Sequence, residues 1–119
     1  MSTAGWRWRL YVKVNYMRVA FVMQLYEGCE EEYRRRHAAI WPELAALLRE
    51  TGVGDYSIFL EESSLKLFAI LQIDDPVKLD SLATQPVMRR WWEYMKDLMD
   101  THPDGSPVAV LLKEMFYLA

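Results

Sequence analysis

At 119 residues the chain is the size of one domain, and 52% hydrophobic residues with 26% charged exclude a disordered chain. A net charge of −3 gives no basic field for nucleic acid, and no helix-turn-helix, finger or stacking-platform signature occurs. Apolar runs stop after a few residues, far short of the ~20 that span a bilayer. Cys29 is the single cysteine, which excludes an internal disulfide or a cysteine-built zinc site and fits a reducing cytoplasm. His37 and His102 are the two histidines, and no carboxylates stand around them in ligand spacing, so no metal site is expected.

Residues 1–16 read as an extension. Trp6, Trp8, Leu10, Val12 and Val14 alternate with Arg7, Arg9, Tyr11, Lys13 and Asn15, a period of two that predicts an added edge strand. The main domain is expected over residues 17–119, and an upstream start codon before Met17 is one explanation of the extension. Arg18 to Leu25 is apolar and β-prone, hence a strand. Glu27 to Glu50 reads as helix, with Tyr33, His37, Ile40, Trp41, Leu44, Leu47 and Leu48 on one face. Pro42 predicts a kink or restart around Ile40–Trp41, and Gly52 a C-terminal stop. Asp55 to Leu60 and Leu65 to Ile73 predict a hairpin bent at Glu62–Ser64.

Asp74-Asp75-Pro76 is a helix start, giving a short helix over Val77 to Ala83. Gln85-Pro86 restarts a second, with Val87, Arg90, Trp91, Tyr94, Met95, Leu98 and Met99 on one face. A loop over His102 to Pro107 and a strand over Val108 to Leu118 complete the order β-α-β-β-α-β. This is an α+β, ferredoxin-like arrangement, an antiparallel sheet with its helices on one face. The other face then needs a cover, and a second copy of the chain is the expected one.

Three features could carry chemistry. Tyr33 and His37 stand four apart on an otherwise apolar helical face with Trp41 beyond them, so they are either satisfied core groups or a pocket lining. Arg34, Arg35 and Arg36 read as a solvated charge run that pairs with Glu31, Glu32 or a neighbouring carboxylate. Trp91 and Trp92 point ~100° apart on a helix, so at least one lies at an edge, groove or interface. Tyr56 shares a strand face with Ile58 and Leu60, as a core tyrosine or a hydroxyl near the sheet end. No Ser-His-Asp order, Gly-rich phosphate loop or carboxylate pair occurs. Aromatic walls and phenols remain, beside an imidazole suited to moving one proton near neutral pH.

The strings carry more than the spacings. Ala20-Phe21-Val22-Met23-Gln24, Glu32-Tyr33 to His37 and Ile40-Trp41-Pro42-Glu43-Leu44 resemble the L-rhamnose mutarotase family. So do Arg90-Trp91-Trp92 with Tyr94-Met95, His102-Pro103-Asp104 with Ser106-Pro107, and Phe116-Tyr117-Leu118. The resemblance covers Met17 to Ala119; Ala38-Ala39 departs from its pattern, where a more polar or Pro-containing pair is usual. It implies a cytoplasmic homodimer with a dimeric α+β barrel that interconverts the anomers of L-rhamnopyranose without metal or cofactor. It implies His37 as catalytic proton donor to the ring oxygen, and sugar contacts at Tyr33, Tyr56, Trp91 and Trp92. Three alternatives stay open: a mutarotase for another aldose, a cofactor-free monooxygenase on the same barrel, and a non-catalytic partner-binding module.

Overall fold

The computed structural model describes residues 16–119, so the strand expected in the extension lies outside the described residues. Eight elements follow: β1 (Met17–Gln24), α1 (Glu30–Ala38), α2 (Pro42–Thr51), β2 (Gly54–Glu61), β3 (Lys66–Ile73), α3 (Lys78–Leu82), α4 (Pro86–Met95) and β4 (Val110–Leu112). The strands form one sheet in the order β2-β3-β1-β4, and every pairing is antiparallel. This α+β sheet is consistent with the ferredoxin-like expectation.

The two central strands set the core. In β1 and β3 the register puts Phe21 opposite Ala69 and Met23 opposite Leu67. Alternation then sends Leu67, Ala69, Leu71 and Ile73 inward against the helices, where all four are buried. The opposite face is bare: Phe59 is 60% exposed, and Ile70, Val110 and Leu112 are exposed beside it. Both faces of this sheet are therefore apolar, and the helices cover one of them.

The helical layer is assembled from short pieces, each with a local cause. The expected helix from Glu27 starts at Glu30 instead, because a turn through Gly28 at φ 81° brings the Cys29 N–H onto the Tyr26 carbonyl. Glu30, Glu31 and Glu32 occupy the first turn of α1 and Arg35, Arg36 and His37 its last, matching the helix dipole at both ends. Pro42 then forces the break. It has no N–H to extend α1, it holds Trp41 extended at φ −61°, ψ 131°, and it opens α2 from the first turn. Gly52, left-handed at φ 101°, closes α2 while the Gly52 and Val53 N–H groups cap the carbonyls of Arg49 and Leu48.

Two expectations are corrected in the second half. The buried stripe running through α4 and past its end is Met88, Trp91, Met95, Leu98 and Met99, whereas Arg90 and Tyr94 are exposed. Trp91, Met95, Leu98 and Met99 are buried as the sequence face expected and Val87 packs against the core, so the correction is confined to Arg90, Tyr94 and the unassigned Met88. The last strand is also shorter than Val108 to Leu118, with ladder pairing only from Val110 to Leu112. Beyond Leu112 side chains hold the segment: Arg18 pairs with Glu114 at 2.9 Å and lies 3.6 Å over the Tyr117 ring.

A Cβ at Gly52 would meet Asp74 Oδ1 at 3.0 Å on a left-handed backbone, whereas one at Gly54 meets nothing. Gly52→Ala is expected to lower unfolding stability by about 1–2 kcal/mol in urea titration, and Gly54→Ala to change it by less than about 0.5 kcal/mol.

Candidate active site

The break at Pro42 lets α1 and α2 lie separately against the sheet, and a cleft of about 1450 Å³ opens between them, β2 and α4. Tyr33, His37, Tyr56, Trp91 and Trp92 all line it, so the five residues singled out in the sequence converge on one space. They come from three elements: α1 gives Tyr33 and His37, β2 gives Tyr56, and α4 gives the tryptophans. An adjoining recess of about 70 Å³ is lined by the same five.

His37 is clamped on two sides. The Tyr33 ring stacks on it with centroids 4.3 Å apart, and Trp91 meets it edge-on at 5.4 Å and 89°. Its Nδ1 lies 3.0 Å from the Tyr33 carbonyl oxygen. A carbonyl only accepts, so in the neutral ring Nδ1 carries the hydrogen and Nε2 keeps its lone pair. Burial lowers the His37 pKa below its usual 6.5, and the carbonyl contact opposes this only in part. The imidazole is thus neutral at pH 7.

The phenols are held in the opposite sense. Burial, and then the nearby Tyr56 phenol, push the Tyr33 hydroxyl well above the ordinary tyrosine range. Tyr56 is 40% exposed as a residue, yet loss of solvent around its hydroxyl pushes it up to about 12. Both therefore stay protonated near neutrality. Local strand geometry positions Tyr56: the β2–β3 ladder carries an extra residue between Gly54 and Ser57, where Asp55 adopts φ 45°.

Trp91 is 5% exposed and Trp92 half-buried, as adjacent tryptophans on a helix require. Trp41 meets Trp91 edge-on at 5.1 Å and stacks on Tyr94 at 5.5 Å. Arg36 then lies 4.3 Å over the Tyr94 ring, donates to the Tyr94 carbonyl and bridges Glu32 and Asp97. Of the arginine run, Arg35 also pairs with Glu32, whose pKa the two guanidiniums hold at about 2, while Arg34 lines the cleft.

Among the described residues the Tyr33 hydroxyl, His37 Nε2 and Trp91 indole N–H have no hydrogen-bond partner, and no buried side-chain nitrogen or oxygen is left unsatisfied. The three therefore open onto the cleft. A mostly apolar space with a few unspent polar groups suits a small ligand that has both hydroxyls and C–H faces. Sequence reasoning did not assign the far wall of the recess, formed by Met23, Met88, Met95, Met99, Thr101, Gly105 and Pro107. Met95 and Met99 were legible as core; their sharing a space with His37 was not.

The family model described as L-rhamnose mutarotase matches residues 18–118. An L-rhamnose mutarotase from Burkholderia orbicola is 53% identical over 100 residues, covering 84% of this chain and 96% of that protein. One from Listeria monocytogenes is 46% identical over 102 residues, covering 86% and 98%. The crystal structure of an L-rhamnose mutarotase from Formosa agariphila superposes with a TM-score of 0.80 at 40% identity, covering 87% of this chain and 99% of that one. A Shewanella oneidensis protein shares the fold alone, at 14% identity and a TM-score of 0.52 over 82% of this chain and 90% of that one. The chain belongs to the L-rhamnose mutarotase family, whose members are isomerases acting at an anomeric carbon.

A folded-state His37 pKa below 6.5 means that the unfolded chain binds the extra proton first as pH falls. Stability is expected to be full above pH 6.5 and to decline from there toward the folded pKa. His37→Gln, compared by urea unfolding across that window, should flatten the decline.

Proposed function

We propose that the protein interconverts the α and β anomers of L-rhamnopyranose by proton transfer alone, with His37 as the central group and Tyr33, Tyr56, Trp91 and Trp92 holding the sugar. The observation that carries this reading is the set of unspent polar groups around a neutral, clamped imidazole, in a chain 53% identical to an L-rhamnose mutarotase.

The chemistry needs one base and one acid. Nε2 of neutral His37 takes the proton of the anomeric hydroxyl, a carbonyl forms at C1, and the C1–O5 bond breaks. O5 takes a proton from a phenol, the C1–C2 bond rotates, and the reverse steps close the ring on the other carbonyl face. Tyr33 and Tyr56 are the two phenols that line the cleft beside the imidazole, and both stay protonated near neutrality. This inverts the assignment expected from the sequence, in which an imidazolium protonates O5: burial disfavours that cation. Trp91 and Trp92 offer flat faces to the C–H side of the ring.

The bare sheet face supports the rest of the reading. Ile70, Val110 and Leu112 form an apolar surface on the side away from the cleft, and a second copy laid against it makes a dimeric α+β barrel. No helix among the described residues is long and apolar enough to cross a membrane, and the cytoplasm is the proposed compartment.

Saturation-transfer NMR at anomeric equilibrium tests the reaction: the protein should speed α/β exchange of L-rhamnose, and His37→Ala should lose ~10²–10⁴-fold of that. An equal rate in the variant would sink the role of His37. With His37 as base, the rate rises with pH through a midpoint below 6.5 and is level at neutrality, whereas an imidazolium donor gives the opposite slope. Ile70→Glu should halve the mass seen by sedimentation; if the unaltered chain already sediments as a monomer, the barrel is wrong.

A further inference from the structure

The chain has seven methionines, and the four that are buried among the described residues, Met23, Met88, Met95 and Met99, all line the recess beside His37. They arrive from different places: Met23 from β1, Met88 and Met95 from opposite ends of α4, and Met99 from the turn beyond it. Thioethers are unbranched and polarisable and make at most weak hydrogen bonds, so they form an apolar, adaptable surface. The same small space is also lined by the Tyr33 and Tyr56 phenols, the His37 imidazole and the Trp91 and Trp92 indoles. The recess thus brings four thioethers together with polar side chains from α1, β2, the two tryptophans of α4 and Thr101. Of the four, Met23 and Met88 line both the recess and the main cleft, and Met88 is the one carried on a helix and not on a central strand.

We infer that the methionine wall is a specificity subsite that receives an apolar substituent on C5 of the sugar ring, the methyl group of a 6-deoxyhexose. The assignment rests on the proposed mutarotase reading and adds to it the group that selects among aldoses. With the hydroxyl-bearing edge of the ring on the phenols and imidazole, the carbon outside the ring faces sulfur and CH₂ groups. A methyl there is well matched. A hydroxymethyl brings a hydroxyl that loses its water and gains no good partner, and a ring with no C6 leaves the space empty.

Three sugars of common C2–C4 configuration separate these cases: L-rhamnose, L-mannose with a C6 hydroxyl, and L-lyxose with no C6. By exchange NMR the unaltered protein should favour L-rhamnose in kcat/KM by ~10-fold or more over each of the other two. Met88→Gln keeps the length of the side chain and adds a donor and an acceptor. It should narrow the L-rhamnose to L-mannose ratio at least several-fold while leaving the L-rhamnose to L-lyxose ratio on the same side. Met88→Leu, which stays apolar, should keep the preference against L-mannose.

Ratios within twofold for the unaltered protein overturn the subsite even if Met88→Gln fails to fold. So does a folded Met88→Gln whose ratio is unchanged while L-rhamnose is still turned over. Failure to accelerate any of the three sugars instead removes the mutarotase reading, and the subsite with it.

Discussion

A single seam of rings holds the candidate site in shape. Running from α1 to α4, it passes from Arg36 over Tyr94, on to Trp41, then Trp91, and back to His37, one residue from where it began. Each aromatic pair contributes ~0.5–1.5 kcal/mol beyond its buried area, and the cation over Tyr94 contributes on the same scale. What the seam fixes matters more than its sum. The last turn of α1 is gripped at two adjacent side chains, so the imidazole can neither swing away from Trp91 nor turn over while Nδ1 holds the Tyr33 carbonyl. Arg36 has only 11% of its side chain exposed, and it is satisfied by Glu32, Asp97 and a backbone oxygen, which makes it a strut between the helices.

The same seam explains what could be read from the residues alone. Tyr33 and His37 four apart on an apolar face, and two consecutive tryptophans on a helix, are local spacings, and the structure brings all four into one cleft with Tyr56. Element order was legible for the same reason: alternation in β3 and the stop at Gly52 are properties of short stretches. What escaped depends on distance in space. Tyr94 looked like a core residue because it shares a helix face with Trp91 and Met95, yet it is an exposed ring braced by Arg36, fifty-eight residues earlier. The end of the chain escaped likewise, since Phe116 and Leu118 have strand propensity but are exposed, and among the described residues they pair in no ladder. The burial around His37 was not legible because a sequence does not reveal which side chains will exclude water from a ring.

Charged side chains line the cleft, Glu30, Glu31 and Arg34 among them, yet none of them sets the His37 pKa. Glu32 lies on the helix that carries the imidazole and Asp97 across from it, but each is tied to a guanidinium and has its pKa lowered by it. Among the described residues, the groups that shift the His37 pKa are burial and a backbone oxygen, with no neighbouring carboxylate. An acid within reach would raise the ring's basicity and hold it as a cation. With Glu32 and Asp97 paired to guanidiniums, burial is the first influence on the ring and lowers its pKa.

The alternation in β1 carries a consequence for any assembly built on the bare face. Phe21 and Met23 point toward the cleft, whereas Ala20 and Val22 stand on the other side of the same strand. The pleat is thus the shortest physical route between the two surfaces. A paired central strand does not slide or tilt one residue at a time, and it offers no second packing arrangement for a ligand to select. Two sites on opposite outer layers of such an assembly would fill independently, each with simple hyperbolic saturation, and changes to the contact between copies would leave their affinities alone.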